Sequence, residues 1–173
     1  MDVDPKAAAE ARRLVAEADE ILAGPLTPGR WPDAEEAGQF LARGELDRVL
    51  ALYGRAMRLD SKESSYPWNL AVAMSRLGLN DLALAFMTRA IHLANAAGED
   101  DWSGSDAQLA LAELAIDAEE PDLALTALAR ARALDDRGTR NRQIEELLGE
   151  IRAEQHDPHP HASLAALLQD LAA

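Results

Sequence analysis

Three short segments of the chain share one pattern: Arg55-Ala56-Met57-Arg58-Leu59, Arg89-Ala90-Ile91-His92-Leu93 and Arg130-Ala131-Arg132-Ala133-Leu134. Arg55 and Arg89 lie 34 residues apart, and Arg89 and Arg130 lie 41 apart. A repeat near this period, with alanine at fixed places, marks a stack of helical hairpins, because one hairpin cannot bury its apolar face alone. Stacked hairpins form a curved superhelix with an extended groove, which serves binding more often than chemistry. The expected fold class is therefore all-α.

Composition narrows the kind of core and the kind of partner. Apolar residues make up 48% of the 173 residues but aromatic ones only 4%, so the interior must be built mainly from Leu and Ala. That length suffices for one domain with a proper core. The formal net charge of −14 opposes binding to phosphate backbones or anionic membranes. The one basic cluster, Arg137-Gly138-Thr139-Arg140-Asn141-Arg142, reads as a helix junction with arginines near a carbonyl-rich helix end. No nucleic acid and no membrane are expected as partners. With 0 Cys, disulfides, thiolate catalysis and cysteine-ligated zinc are excluded. Met1-Asp2-Val3-Asp4-Pro5 lacks the basic-then-apolar order of a signal peptide, and no apolar run approaches the roughly 20 residues of a membrane span. A cytoplasmic location is the expectation.

Breakers divide the chain. Residues 1–30 hold an amphipathic helix, Pro5 to Ala23, and a Gly/Pro loop. Ala11, Leu14, Val15, Ala18, Ile21 and Leu22 form one apolar stripe on that helix. Residues 31–135 divide into three hairpins. Helices 33–43 and 45–59 meet at Gly44, 65–77 and 80–97 meet at Gly78, and 105–118 and 121–135 meet at Glu119-Glu120-Pro121. Residues 136–156 carry a helix from Thr139 to Gln155 that would cover the last hairpin. In 157–173 a Pro/His linker precedes a short amphipathic helix with Leu164, Leu167, Leu168 and Leu171 at i, i+3, i+4 and i+7.

This pattern resembles the tetratricopeptide repeat. The middle unit carries it through Leu70-Ala71, Gly78, Ala83, Met87 and Ala90. The first does so through Ala37, Phe40, Gly44, Tyr53, Ala56 and Leu59-Asp60, and the third through Leu111-Ala112, Ala124, Leu128, Ala131 and Leu134-Asp135. Alanine is needed where helices cross closely, and a larger residue fills the neighbouring hole. Val49 and Glu119 depart from the pattern, standing where the family has a small residue and the turn glycine. The resemblance implies a right-handed superhelix of about three such hairpins with additional N-terminal and C-terminal helices.

In that family the inner helix of each hairpin lines the concave groove and holds an extended peptide or a partner helix. The corresponding residues here are Trp31, Glu35 and Leu41, then Trp68, Asn69, Val72, Ser75 and Arg76, then Asp106, Leu109, Glu113, Ile116 and Asp117. Asn69 is suited to bonding a peptide backbone. Asp106, Glu113 and Asp117 are either a solvated face or a subsite for a positively charged segment. Trp68 reads equally as groove or core, and Trp31 equally as a groove residue or a staple at the start of its helix. Some members clamp a terminal carboxylate with Lys, Arg and Asn. Asn69 matches one such position, but the others hold Ala34, Gly38, Asp106 and Ala110, so that capture is not expected.

Neither catalysis nor a cofactor is indicated, since the chain has no nucleophile motif and no phosphate-cradling glycine loop. His156, His159 and His161 sit on a proline-stiffened stretch that reads as a linker rather than a metal site. The resulting expectation is a non-catalytic adaptor that binds a peptide or helix of a partner protein with basic and apolar segments. The alternative is a self-assembling or regulatory protein whose C-terminal helix mediates a homodimer, plugs its own groove or caps the stack.

Overall fold

Polar caps and prolines set where the helices begin. In α1 (Pro5–Leu22), the Asp4 carboxylate accepts from the Lys6 amide at 3.0 Å, and Pro5 occupies the first turn, where no N–H is required. The short α2 (Ala34–Ala42) opens with a reciprocal box. The Glu36 amide donates to Asp33 Oδ1 at 2.9 Å, and the Asp33 amide donates to Glu36 Oε2 at 3.1 Å. There follow α3 (Glu45–Leu59), α4 (Ser65–Arg76), α5 (Asn80–Ala97), α6 (Ser105–Asp117), α7 (Pro121–Leu134) and α8 (Asn141–His156). The computed structural model describes residues 4–26, 32–99, 104–135 and 137–156, with side chains through 153. Among the described residues all regular structure is helical, as the periodicity predicts, and the helix ends fall within two residues of those read from the breakers. None of these helices is long and apolar enough to cross a membrane.

Two of the connections are built alike. After α4 the Gly78 amide donates to Ser75 O at 2.9 Å and the Leu79 amide to Met74 O at 2.9 Å. After α6 the Glu119 amide donates to Ile116 O at 2.9 Å and the Glu120 amide to Ala115 O at 2.8 Å. This paired bonding needs a left-handed residue in the middle, supplied by Gly78 at φ 72° and Glu119 at φ 58°. Glutamate therefore keeps the glycine's conformation and carries a backbone strain of about 1–2 kcal/mol.

Counting from the turn residues Gly44, Gly78 and Glu119, the same positions are buried in each following helix. The fifth is Val49, Ala83 or Ala124, and the twelfth is Ala56, Ala90 or Ala131, all of them 0% exposed. The ninth is Tyr53, Met87 or Leu128, each buried as well. The helix crossings therefore alternate small and large residues, so that backbones meet at alanine while one bulky side chain fills each adjoining space.

The pairing at the N-terminal end differs from the sequence expectation. α4 packs along α5 and α6 along α7, and the partner that lies along α3 to a similar extent is α1; α2 touches α3 only briefly. Ala11, Leu14, Val15, Ala18 and Leu22 are the buried face of α1. With only nine residues, α2 contributes Ala37 and Phe40 to the interior but cannot cover the fifteen-residue α3. Further along, α3 meets α4, α5 meets α6, and α8 packs on both α7 and α6.

The Glu119→Gly variant should be more stable by about 1 kcal/mol, the relief of strain less the greater freedom of an unfolded glycine. That raises the thermal midpoint by roughly 2–4 °C for a chain of this size. Gly78→Ala, which imposes the same strain on the preceding turn, should lower it, and thermal unfolding followed by circular dichroism reads both.

Candidate partner-binding cleft

The replacement of α2 by α1 as the companion of α3 creates an apolar recess on the surface. The last turn of α1 and the residues after it stand beside α4, with α3 beneath, and enclose an open cleft of about 470 Å³. Its lining is Asp19, Leu22, Ala23, Leu26, Tyr53, Trp68, Asn69, Val72, Ala73 and Arg76. Leu22 and Ala73 are buried, Trp68 and Leu26 are half-buried, and Val72 is 37% exposed. The result is an apolar floor and wall with three polar side chains, Asp19, Asn69 and Arg76, around it.

At the base of the cleft the Tyr53 hydroxyl donates to Asp19 Oδ1 at 2.6 Å. This bond ties α1 to α3 across 34 residues of sequence and satisfies the one polar atom of a fully buried ring. Burial pushes the phenol far above its ordinary pKa, and the neighbouring carboxylate adds to the shift. At neutral pH Tyr53 is therefore a fixed neutral donor rather than a proton-transfer group.

A second cleft, also about 470 Å³, lies between the α4–α5 and α6–α7 turns. Asn80, Asp81, Asp117 and Glu119 line it, and the Asn80 amide donates across it to the Asp117 carbonyl at 2.8 Å. Leu79, Leu82 and Ala118 complete a mixed lining, and the bridging bond makes this cleft a joint between successive turns.

The sequence-derived binding residues divide by helix. Trp68, Asn69, Val72 and Arg76 converge on the cleft, whereas Ser75, on the same helix, is half-buried and does not line it. Glu35 is exposed and accepts from the Gln39 side chain at 3.1 Å; Leu41 is half-buried, and neither reaches the cleft. Trp31, His159 and His161 lie outside the described residues, as does the side chain of His156.

The α6 set stands elsewhere. Leu109 is buried at 3% exposure, and Ile116 is half-buried. Asp106 takes a two-pronged ion pair from Arg140, with Nη2 to Oδ2 at 2.8 Å, and Glu113 accepts from Gln143 at 2.9 Å. Both partners belong to the approach and first turn of α8, so two of the three acids are engaged within the chain, and Asp117 remains exposed at the far end of α6. The start of α8 is itself held by Asp135, whose carboxylate accepts from the Arg140 amide at 2.6 Å and the Thr139 amide at 3.1 Å. These bonds, that from Arg140 foremost, hold the Asp135 pKa below its ordinary value. The arginine-rich stretch is thus a helix junction, as its composition suggests.

Sequence reasoning missed Asp19, Leu22, Ala23 and Leu26, although the apolar stripe of α1 already required a packing partner. Among the described residues no group of three His, Asp or Glu side chains is placed to hold a metal ion. No protein-family model matches the chain, and no curated protein matches it.

Replacing Tyr53 with Phe should cost about 1–2 kcal/mol, through the lost bond. Up to about pH 10 the phenol is neutral in folded and unfolded chains alike. Above that the unfolded chain ionises first, so this group removes stability at about 1.4 kcal/mol per pH unit. The gap between wild type and Tyr53→Phe should therefore narrow between pH 9 and pH 11 in urea titrations. A constant gap would contradict the buried, neutral phenol.

Proposed function

We propose that the protein is a non-catalytic binding module of the tetratricopeptide kind that holds a peptide or helix of a partner protein. The observation that carries this reading is the cleft between α1, α3 and α4, which joins apolar contact area to a few polar groups at its edge. An apolar side chain of the partner would rest against Trp68, Val72 and Leu22, gaining about 1.5–3 kcal/mol on full burial. Asn69 carries both a donor and an acceptor for a peptide backbone, while Asp19, bonded to Tyr53, and Arg76 add one charge of each sign to the lining. The phased alanines and the two matching turns support the repeat architecture that such modules share.

The net charge of −14 favours partners with basic flanks, mainly by speeding encounter. The acids on α6 contribute less to this than their spacing suggests, because Arg140 and Gln143 already engage Asp106 and Glu113. Apolar anchoring at the cleft is therefore the principal source of affinity in this reading, and basic flanks are secondary.

Selection of a random peptide library on the full chain tests the proposal. Enriched peptides should share a bulky apolar anchor. Their affinity should fall tenfold or more in Val72→Asp, whose exposed position leaves the thermal midpoint within a few degrees of wild type. Asn69→Ala should weaken binding several-fold. Enrichment of sequences without an apolar anchor, or peptides indifferent to both substitutions, would refute the cleft as the site.

A further inference from the structure

The helices of this chain come in pairs, α1 with α3, α4 with α5 and α6 with α7. α8 opens a further pair that nothing among the described residues completes. Along the seam between α8 and α7 runs a small groove of about 110 Å³, lined by Leu125, Leu128, Ala129, Arg132, Ile144 and Leu148. Leu125 is 39% exposed and Leu148 half-buried. This groove shares no residue with the cleft, and the inference drawn from it does not rest on the binding reading.

We propose that residues 163–171 of the same chain dock on this groove as a short helix and complete the pair that α8 begins. Three observations select that occupant. Leu164, Leu167, Leu168 and Leu171 fall on one helical face, with Ala165 and Ala166 small enough to allow close approach. Pro158 and Pro160 are incompatible with a helix interior, so the sequence sets 163–171 apart from α8 as a separate segment.

The distances also agree. Leu148 lies eight residues, about 12 Å, before the end of α8, and the six residues 157–162 span up to about 20 Å when extended. The segment can therefore fold back beside α8 and bring its leucines level with Leu148 and Ile144.

The absence of native cysteine makes the test direct, because any disulfide must join introduced residues. Ala129→Cys would be combined in turn with a cysteine at 164, 165, 167 or 168 in the full chain and mildly oxidised. At least one pair should close within a single chain in most molecules, read by intact mass and non-reducing electrophoresis. Closure in none of the four, or only between two chains, would overturn the proposal, the latter in favour of a second copy as occupant. Preferential closure with Val72→Cys would also overturn it, in favour of the chain plugging its own cleft. Hydrogen exchange gives a second reading: amides of 163–171 should exchange at least tenfold more slowly in wild type than in Leu125→Asp. Equal rates would overturn the proposal, and retention of slow exchange in α7 shows that the variant remains folded.

Discussion

Helices in this protein approach one another only where alanine allows it. Ala56, Ala83, Ala90, Ala124 and Ala131 are completely buried, and a larger side chain at any of them would force the backbones apart. With aromatics at 4% of the chain, there are few large residues to fill the resulting space, so close approach is what gives the interior its density. Tyr53, Met87 and Leu128 supply the bulk between the small positions. The stack, the cleft and the groove all inherit their dimensions from this alternation.

Close approach in turn demands an exact register between paired helices, and the turns provide it. Gly78 and Glu119 hold the same backbone conformation although their side chains have nothing in common. Tertiary packing of α6 on α7 outweighs the strain that the glutamate introduces. The position was legible as a turn from its place in the repeat, but not from its residue type, since glutamate carries no left-handed preference.

At the N-terminal end the local signals compete. Ala37, Phe40 and Gly44 imitate the spacing of a repeat, and α2 does bury two of them. Yet α1 offers an eighteen-residue amphipathic face against the nine residues of α2, and the larger apolar surface occupies the length of α3. This choice moves one wall of the cleft from α2 to α1 and introduces the Asp19–Tyr53 bond. It explains why Trp68, Asn69, Val72 and Arg76 could be read in advance while Asp19, Leu22 and Leu26 could not. On α6, likewise, the spacing of Asp106 and Glu113 carried no indication that α8 would supply Arg140 and Gln143 to meet them.

The sequence by itself determined the helical class, the ends of the helices and the phase of the buried positions. Caps, breakers and 3.6-residue periodicity act within a turn or two of chain, so they are written locally. Tertiary structure alone decided which helix lies along α3, where the apolar recess opens and which acids are matched by a partner. Those outcomes depend on competition between surfaces far apart in the chain, settled by buried area and by charges that meet only after packing.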